Sequence, residues 1–233
     1  MPHPDFLEYL RSSLTDNRNR RFDEIVARRT RHLTVVLENT YQPYNASAVL
    51  RSCDAFGVQD VHVVEREVEF HVDGEIDLGA SKWLCVHRYA PGESATSTCI
   101  ATLKAQGYQI VASSPHAPDD ARLEDYDVTP KTALMLGGEL RGLSDDALEL
   151  ADAHLKIPMF GFTESFNLSV SAAVMLQHLT SRLRSSDAPW RLTAEEQHAL
   201  LFSWTRKSLP KRFDALRKRW EAETGLSADV EDA

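Results

Sequence analysis

Short apolar runs alternate with helix-length amphipathic segments through the middle of the chain. Six β-strands are predicted by apolar runs at residues 33–38, 61–64, 83–88, 108–112, 132–136 and 154–157. Helices are predicted between them, by apolar positions three and four apart, at residues 45–56, 91–107, 144–151 and in the segment that ends near 183. The connection at 65–81 is acidic and irregular. This alternation predicts an α/β fold with a mostly parallel sheet flanked by helices.

The two ends of the chain have helical patterns without strands. Helices are predicted at residues 4–13, 17–29, 193–205 and about 209–222. We therefore expect N-terminal helices at 1–31, an α/β core at 32–184 and a C-terminal helical extension at 185–233. Trp190, Trp204 and Trp220 are predicted to pack between helices rather than stack on bases. The tail from residue 227 is predicted to fray.

Charge is distributed unevenly along a chain whose formal net charge is −9. Residues 11–31 contain seven Arg and three acidic residues, and residues 182–220 contain ten basic and four acidic residues. Between them, residues 32–181 contain nine basic and 21 acidic residues. Basic ends around an acidic body favour a polyanionic partner such as RNA, although solvated helix faces would carry the same charges. The RNA contacts expected from these ends are Arg18, Arg20, Arg21, Arg28, Arg206, Lys207, Lys211 and Arg212.

Cysteine and histidine usage does not indicate a metal site. Cys53, Cys85 and Cys99 have no ligand spacing, and the nine histidines are scattered. The sequence also has no signal-peptide pattern and no apolar run near the roughly 18 residues of a membrane span. These features predict a cytoplasmic protein that binds no metal and no membrane.

Three stretches of the core combine polar side chains with helix starts or turns. Asn45 and Arg51 lie on the helix after the first strand, and the start of a helix can bind an anion. The glycines of Gly137–Glu139 follow the fifth strand and would let a ligand approach the backbone. Ser165 and Asn167 precede the last core helix. Taken singly, these stretches also fit an asparagine cap with a solvated arginine, ordinary turn glycines and a capped helix.

The second and third stretches are expected to meet at one edge of the sheet. The fifth and sixth strands are predicted to end side by side, so that both following loops open at the carboxyl edge. That edge is where α/β sheets bind their ligands. Backbone amides and carbonyls there can bind a polar, adenine-bearing cofactor without a charged clamp.

In order and spacing, these stretches resemble the SPOUT superfamily of methyltransferases, in its TrmH-type branch that methylates ribose 2′-hydroxyls. They read Asn45-Ala-Ser-Ala-Val-Leu-Arg51, Leu136-Gly-Gly-Glu-Leu-Arg-Gly-Leu-Ser144 and Ile157-Pro-Met-Phe-Gly-Phe-Thr-Glu-Ser-Phe-Asn-Leu-Ser-Val170. The likeness covers about residues 20–185 and favours the members that methylate guanosine 18 in the D-loop of transfer RNA. The family has leucine where this chain has Phe166.

The resemblance implies an α/β fold with a deep C-terminal trefoil knot, an obligate homodimer and the cofactor S-adenosylmethionine. It implies that Arg51 is the catalytic residue and Asn45 its positioning partner, with Glu139 and Asn167 as supporting polar groups. The cofactor contacts that it implies are Ser113, Gly137, Ile157, Ser165, Phe166 and Leu168.

Other functions stay open at this point. The same chemistry on ribosomal RNA uses the same motifs, although the short segment before the first strand favours transfer RNA. A non-catalytic RNA-binding factor could use the same scaffold, but the polar residues of the three stretches argue against it. A Rossmann-like oxidoreductase would need a glycine fingerprint that is missing from the first strand–helix turn.

Overall fold

The structure, a computed structural model, describes residues 3–67, 69–92 and 94–228. The chain divides into two compact units. One is the continuous segment Thr30–Trp190, and the other combines the segment up to Arg29 with the segment from Arg191 onward. The continuous unit contains the sheet and the helices that flank it.

The predicted strands form a parallel sheet, which confirms the α/β prediction. The strands of the described residues are β1 Leu33–Glu38, β2 Asp60–Val64, β3 Cys85–Tyr89, β4 Gln109–Ser113, β5 Thr132–Gly137 and β6 Ala153–Leu155. Their spatial order is β3-β2-β1-β5-β4-β6, with each pair parallel. Every residue of β1 and β2 is buried, as expected for central strands that are covered on both faces.

Helices of the continuous unit cover both faces of this sheet. The helices of the described residues are α1 Pro4–Arg11, α2 Asp16–Val26, α3 Pro43–Phe56, α4 Gly74–Asp77, α5 Ala95–Ala105, α6 Asp145–Leu150, α7 Leu168–Arg184, α8 Ala194–Ser208 and α9 Phe213–Thr224. Successive strand residues point to opposite faces. Val35 and Leu37 pack in one core with α3 and α7, whereas Val36 and Met135 pack in a second core with α5 and α6. The core unit is therefore a three-layer α/β/α structure.

β6 lies beside β4 rather than beside β5, so the prediction that the fifth and sixth strands end side by side is wrong. Ser113 of β4 pairs with Leu155 of β6, whereas β5 lies on the other side of β4. The order of strands depends on where each crossover packs, and strand patterns do not encode that. The loops after β5 and β6 still open at the same carboxyl edge because all strands run in one direction.

Two boundary differences matter for the site. α3 begins at Pro43, where proline suits the first helical position, so Asn45 lies within the first turn and does not cap the helix. β6 ends at Leu155, two residues before the predicted end. The loop that follows β6 therefore begins earlier and is longer than expected. Gly57, Ser144 and Asn167 terminate or cap their helices as the sequence predicts.

The edge of the sheet at β3 differs more from the prediction. β3 begins at Cys85, because Ser81–Trp83 form a 3₁₀ turn. The segment predicted to be irregular contains α4, whose first N–H groups are bound by the Asp73 carboxylate. The helix predicted from Pro91 begins at Ala95, and Glu93 of its predicted start lies outside the described residues.

The terminal unit has an apolar core of its own. Phe6 of α1 lies at the centre of an aromatic cluster with Phe202, Phe213 and Trp220. Trp204 and Trp220 are 2 % and 3 % exposed, which confirms that they pack between helices. The prediction that the tail frays from residue 227 is wrong for Ala228, which is buried and bonds to Glu221, while residues 229–233 lie outside the described part.

Candidate active site

The three predicted stretches meet at the carboxyl edge of the sheet through a chain of hydrogen bonds. The side-chain amide of Asn45 donates to Glu139 Oε1 over 2.6 Å. Asn167 Nδ2 in turn donates to Asn45 Oδ1 over 3.1 Å. We call these three residues the amide relay. It connects α3, the loop after β5 and the start of α7.

Asn45 occupies the middle of the relay with its side-chain amide fully used. Its Nδ2 donates to Glu139 and, over 3.3 Å, to Gln42 Oε1, and its Oδ1 accepts from Asn167. A carboxylate accepts and cannot donate, so the orientation of the Asn45 amide follows from its partner. Asn45 is 3 % exposed. A buried amide with all its partners in place is held in one orientation.

Glu139 is held at the relay by a tight turn after β5. A Cβ on Gly138 would lie 2.1 Å from the carbonyl oxygen of Asn39, and one on Gly137 would lie 2.0 Å from the carbonyl carbon of Gly142. The N–H of Tyr41 also donates to Glu139, over 3.4 Å. The two glycines therefore allow the close approach of the chain's own backbone, where the sequence suggested approach by a ligand.

Asn167 has a second task at the start of α7. Its Oδ1 accepts from the N–H of Ser169 over 2.8 Å and from the hydroxyl of Ser169 over 2.6 Å. The same side chain thus caps the helix with its oxygen and supports Asn45 with its nitrogen. The hydroxyl of Ser165 makes no hydrogen bond within the described part of the chain.

A crevice opens beside the relay, between the end of β4 and the loop after β6. Four of the six predicted cofactor residues line it, namely Ser113, Ile157, Ser165 and Phe166. Of the other two, Leu168 is buried in the core, and Gly137 lies at the end of β5 in the turn that holds Glu139. Sequence reasoning missed further lining residues, including Met159, Glu164 and Met175.

The chemistry of this crevice suits a nucleoside cofactor, although its volume is small. Within the described residues, the backbone of residues 157–166 makes no hydrogen bond to other backbone, so its N–H and C=O groups can serve a ligand. Met159, Phe166 and Met175 supply apolar surface for an adenine ring. The crevice encloses about 40 Å³, less than the several hundred Å³ of ordinary ligand pockets. The groups that line the crevice are those that the cofactor implied by the resemblance would need.

A charged pair borders the same crevice. Lys156 Nζ donates to Asp119 Oδ1 over 2.6 Å. This hydrogen bond, together with the positive charge of Lys156, lowers the pKa of Asp119 below its usual value. Lys156 therefore places a cation beside the loop that follows β6.

Arg51 is not joined to the relay. It is exposed on α3 and makes no hydrogen bond or ion pair with the described residues. A residue six positions along a helix lies about 240° around its axis, so Arg51 and Asn45 point in different directions. A catalytic role for Arg51 therefore stays a prediction.

The predicted RNA-binding residues belong to the terminal unit. Seven of the eight are exposed, and the eighth, Arg206, is half-buried with its guanidinium 5.0 Å from the Phe213 ring. Arg18 lies 5.8 Å from the Phe22 ring. Both arginines therefore combine a packed stem with a charged head.

Neither a metal site nor a membrane helix is found in the described part of the chain. It contains no group of three or more His, Cys, Asp and Glu that could hold a metal ion. Of the helices described above, none has both the length and the apolar character that a membrane crossing needs.

Residues 32–177 match the SpoU rRNA Methylase family. The chain belongs to this family. The matched segment contains the whole sheet, the amide relay and most of α7, so the SpoU-family core coincides with the unit that carries the site. The predicted resemblance to TrmH-type methyltransferases is thereby confirmed.

Several relatives of this SpoU-family chain are named for one activity. It is 37 % identical over 194 residues to the tRNA (guanosine(18)-2′-O)-methyltransferase of Borreliella burgdorferi, covering 83 % of this chain and 87 % of the relative. It is 38 % identical over 197 residues to the enzyme of the same name from Thermus thermophilus, covering 83 % and 98 %. Among solved structures, the A. aeolicus TrmH/SpoU tRNA modifying enzyme superposes with a TM-score of 0.73 at 27 % identity, covering 83 % of this chain and 98 % of that one.

Proposed function

We propose that this protein transfers the methyl group of S-adenosylmethionine to the ribose 2′-hydroxyl of guanosine 18 in transfer RNA. The observation that carries the proposal is the amide relay, which joins the three motif stretches across 94 and 122 residues of sequence. The family membership and the shared name of the relatives support the same reaction. Ribosomal RNA stays the alternative substrate.

The cofactor would be held by the crevice beside the relay. Ser113, Ile157, Ser165 and Phe166 line that crevice, with Gly137 and Leu168 contributing from the adjoining strand end and helix start. When bound, S-adenosylmethionine supplies an activated methyl group on a sulfonium. Phe166 is 45 % exposed, so a ligand can contact its ring, which is larger than the leucine side chain that the family has there.

The protein's own share of the reaction is to place the ribose and to manage the hydroxyl proton. In this proposal Asn45 is a positioning residue: Glu139 and Asn167 fix its buried amide, and the relay thereby holds the start of α3 against the loops beside which the ribose lies. Arg51 binds the phosphate and stabilises the developing alkoxide. A guanidinium stays protonated in proteins, which favours this electrostatic role over that of a general base.

The proposal includes a homodimer, supported by an exposed apolar surface. Phe160 is 92 % exposed and Phe162 is fully exposed, and Val170 and Val174 of the adjoining helix α7 are also exposed. Contiguous exposed apolar surface marks interaction sites. Pairing of two copies over this surface would cover it.

The proposal also includes the trefoil knot. The segment after β4 contacts the end of β6 along its length: the N–H of Ser114 bonds to Leu155, and Lys156 bonds to both Ala121 and Leu123. In a knot of this kind, the later part of the chain passes through a loop formed by an earlier part. Close contact between the end of β6 and the earlier segment 114–123 supports this arrangement.

The division of labour follows the charge distribution. In the proposal, the core at 32–184 performs the chemistry, and the basic ends at 1–31 and 185–233 hold transfer RNA through its phosphates. All three cysteines are free thiols, which agrees with the cytoplasm as the place of action.

The reaction is tested by incubating the purified protein with labelled S-adenosylmethionine and either bulk transfer RNA or ribosomal RNA. Nuclease mapping then locates the methylated ribose. We expect label in transfer RNA at guanosine 18, and its loss in an Asn45→Ala variant that still binds the cofactor. Label in ribosomal RNA alone would show that ribosomal RNA, not transfer RNA, is the substrate. Binding of RNA without any methyl transfer would show that the protein is a non-catalytic factor.

A further inference from the structure

A second and larger crevice lies on the other side of the amide relay. It encloses about 320 Å³ and is bordered by residues that follow β1, β2 and β5, among them Tyr41, Glu67 and Arg141. β1 and β5 are neighbours in the sheet. From β1 the chain continues to β2 on one side, and from β5 it continues to β6 on the other side, beyond β4. Ligands of α/β sheets bind at such a switch point, outside the carboxyl ends of the strands.

The crevice presents a carboxylate and a guanidinium side by side. Arg141 donates to Glu67 over 3.1 Å, and the two side chains are 75 % and 54 % exposed. The hydroxyl of Tyr41 also donates to Glu67, over 3.2 Å. An exposed ion pair contributes little to stability, so a ligand that offers each partner a better bond can replace it at small cost.

The other charges of the crevice are already engaged. Glu38 is buried and accepts bonds from Thr96 and from both the N–H and the hydroxyl of Ser144. Arg66 pairs with Asp146 over 3.3 Å at the far side. Asp145 also lines the crevice, at the start of α6. Glu67 and Arg141 differ from these charges because both side chains of the pair are more than half exposed, and Tyr41 bonds both to Glu67 and to Glu139 of the relay.

We propose that this crevice takes the base of the target nucleotide and that Glu67 and Arg141 recognise it as guanine. The proposal rests on the methyl transfer proposed above. Guanine carries two adjacent donors, N1–H and the N2 amino group, on its Watson–Crick edge, and two adjacent acceptors, O6 and N7, on its Hoogsteen edge. A carboxylate matches the donors, and a guanidinium matches the acceptors. Adenine lacks the donor pair for the carboxylate, because its N1 accepts, and it offers the guanidinium one acceptor, N7, beside an N6 amino group that donates.

The position of the crevice places the ribose of such a nucleotide at the relay. Tyr41 borders the crevice, and its N–H donates to Glu139 of the relay. The Tyr41 ring also lies 3.4 Å from the position of a Cβ on Gly138, directly before Glu139. Enzymes that act on a nucleotide commonly stack its base on an aromatic ring and read its hydrogen-bonding edge. With the base against Tyr41, the sugar lies between this crevice and the crevice of the cofactor.

The test uses transfer RNAs with a single altered base at position 18. Inosine removes the N2 amino group, and 7-deazaguanosine removes N7. For the unmodified protein we expect each change to lower kcat/KM by about tenfold to a hundredfold, the effect of one bond to a charged group. Glu67→Ala is expected to lose the preference for guanosine over inosine, to within about twofold, while keeping the preference over 7-deazaguanosine. Arg141→Met is expected to show the reverse.

Glu124→Ala is the matched control, because Glu124 is also an exposed carboxylate paired with an arginine, Arg122, over 3.7 Å. It should keep both preferences. Unchanged base preferences in the Glu67 and Arg141 variants would overturn the assignment. Variants that lose S-adenosylmethionine affinity instead of base preference would overturn it as well. If the unmodified protein methylates no transfer RNA, the proposed function itself fails. If the protein methylates position 18 but the Glu67 and Arg141 variants keep their base preferences, the assignment of guanine recognition fails and the proposed function stands.

Discussion

Asn45 donates a 2.6 Å hydrogen bond to Glu139, a residue 94 positions further along the chain. The bond joins the first turn of α3 to the turn after β5 and fixes which way the Asn45 amide faces. A short bond between a buried amide and a carboxylate gives the site one geometry. Positioning therefore depends on a residue that need not touch the substrate.

Removing this acceptor should slow the reaction without weakening cofactor binding. In Glu139→Ala the amide of Asn45 loses its charged partner, a bond worth about 1.5–3 kcal/mol. We expect kcat to fall by about tenfold to a hundredfold, with S-adenosylmethionine affinity within about threefold. Glu149→Ala, which changes an exposed carboxylate on α6, is the control. A kcat unchanged by Glu139→Ala would contradict the positioning role.

The two tasks of Asn167 can be separated by one substitution. Asn167→Asp keeps an oxygen for the N–H of Ser169 and places negative charge at the start of α7, where the helix dipole favours it. It removes the donor to Asn45. We expect urea unfolding to show unchanged or slightly higher stability while methyl transfer falls at least about tenfold. Asn167→Ala should lose about 1 kcal/mol of stability as well, since the cap is lost. Equal activity losses without any stability difference between the two variants would count against a capping role.

Arg51 should not be replaceable by lysine. Lysine keeps the charge but lacks the planar fork of donors that binds a phosphate and an alkoxide together. We expect Arg51→Lys to lower kcat by about a hundredfold, with transfer RNA affinity within about twofold, because the proposed function assigns the binding to the terminal basic residues. Substantial turnover by the lysine variant at neutral pH would show that charge alone suffices.

The tight turn after β5 should tolerate no side chain. In Gly138→Ala the new Cβ would lie 2.1 Å from the carbonyl oxygen of Asn39, so the backbone of one strand end must shift. Overpacking of this kind costs about 3 kcal/mol, which thermal or urea unfolding would detect. Gly74→Ala is the matched control, because a Cβ there meets no atom within 4 Å. A similar stability for both variants would show that the turn can relax.

Acid should destabilise the core through His62. Burial, followed by the charge of the neighbouring His87, lowers the pKa of His62 from 6.5 to about 4. Below pH 6.5 the unfolded chain binds this proton and the folded chain does not, so stability falls as the pH drops toward 4. Between pH 7 and pH 5 the loss amounts to about 2 kcal/mol. Urea unfolding at the two pH values should show that loss, and His62→Phe should remove it. An equal loss in the variant would assign the pH dependence to other groups.

The sequence predicted the strands and the motif residues better than it predicted how they meet. β1 and β5 are continuous apolar runs, which identify buried strands directly. The neighbour of β6 was mispredicted, because a three-residue strand carries no information about its partner. The asparagine cap that the first stretch also fitted is not formed, since Pro43 begins the helix earlier and the Asn45 amide bonds to Glu139.

Other parts of the site had weaker signals. The place of a residue directly after β1 was one usable signal, because residues there face the carboxyl edge of the sheet. Tyr41 lies there, and the sequence prediction missed it. Gly137 and Gly138 were identified as points of close approach, and the neighbour that the structure shows there is the chain's own backbone. Glycines report a close approach, but the sequence does not state whether backbone or ligand approaches.

The amide relay also bears on how the protein folds. Its contacts span 94 and 122 residues, and α3, β5 and α7 must all be in place before it can close. Contacts between residues so far apart in sequence require the chain to close long loops, which costs entropy and slows folding. A nascent chain that ends before Asn167 therefore carries an unfinished site. A core in which α7 has not yet packed likewise lacks the relay on which the site is built.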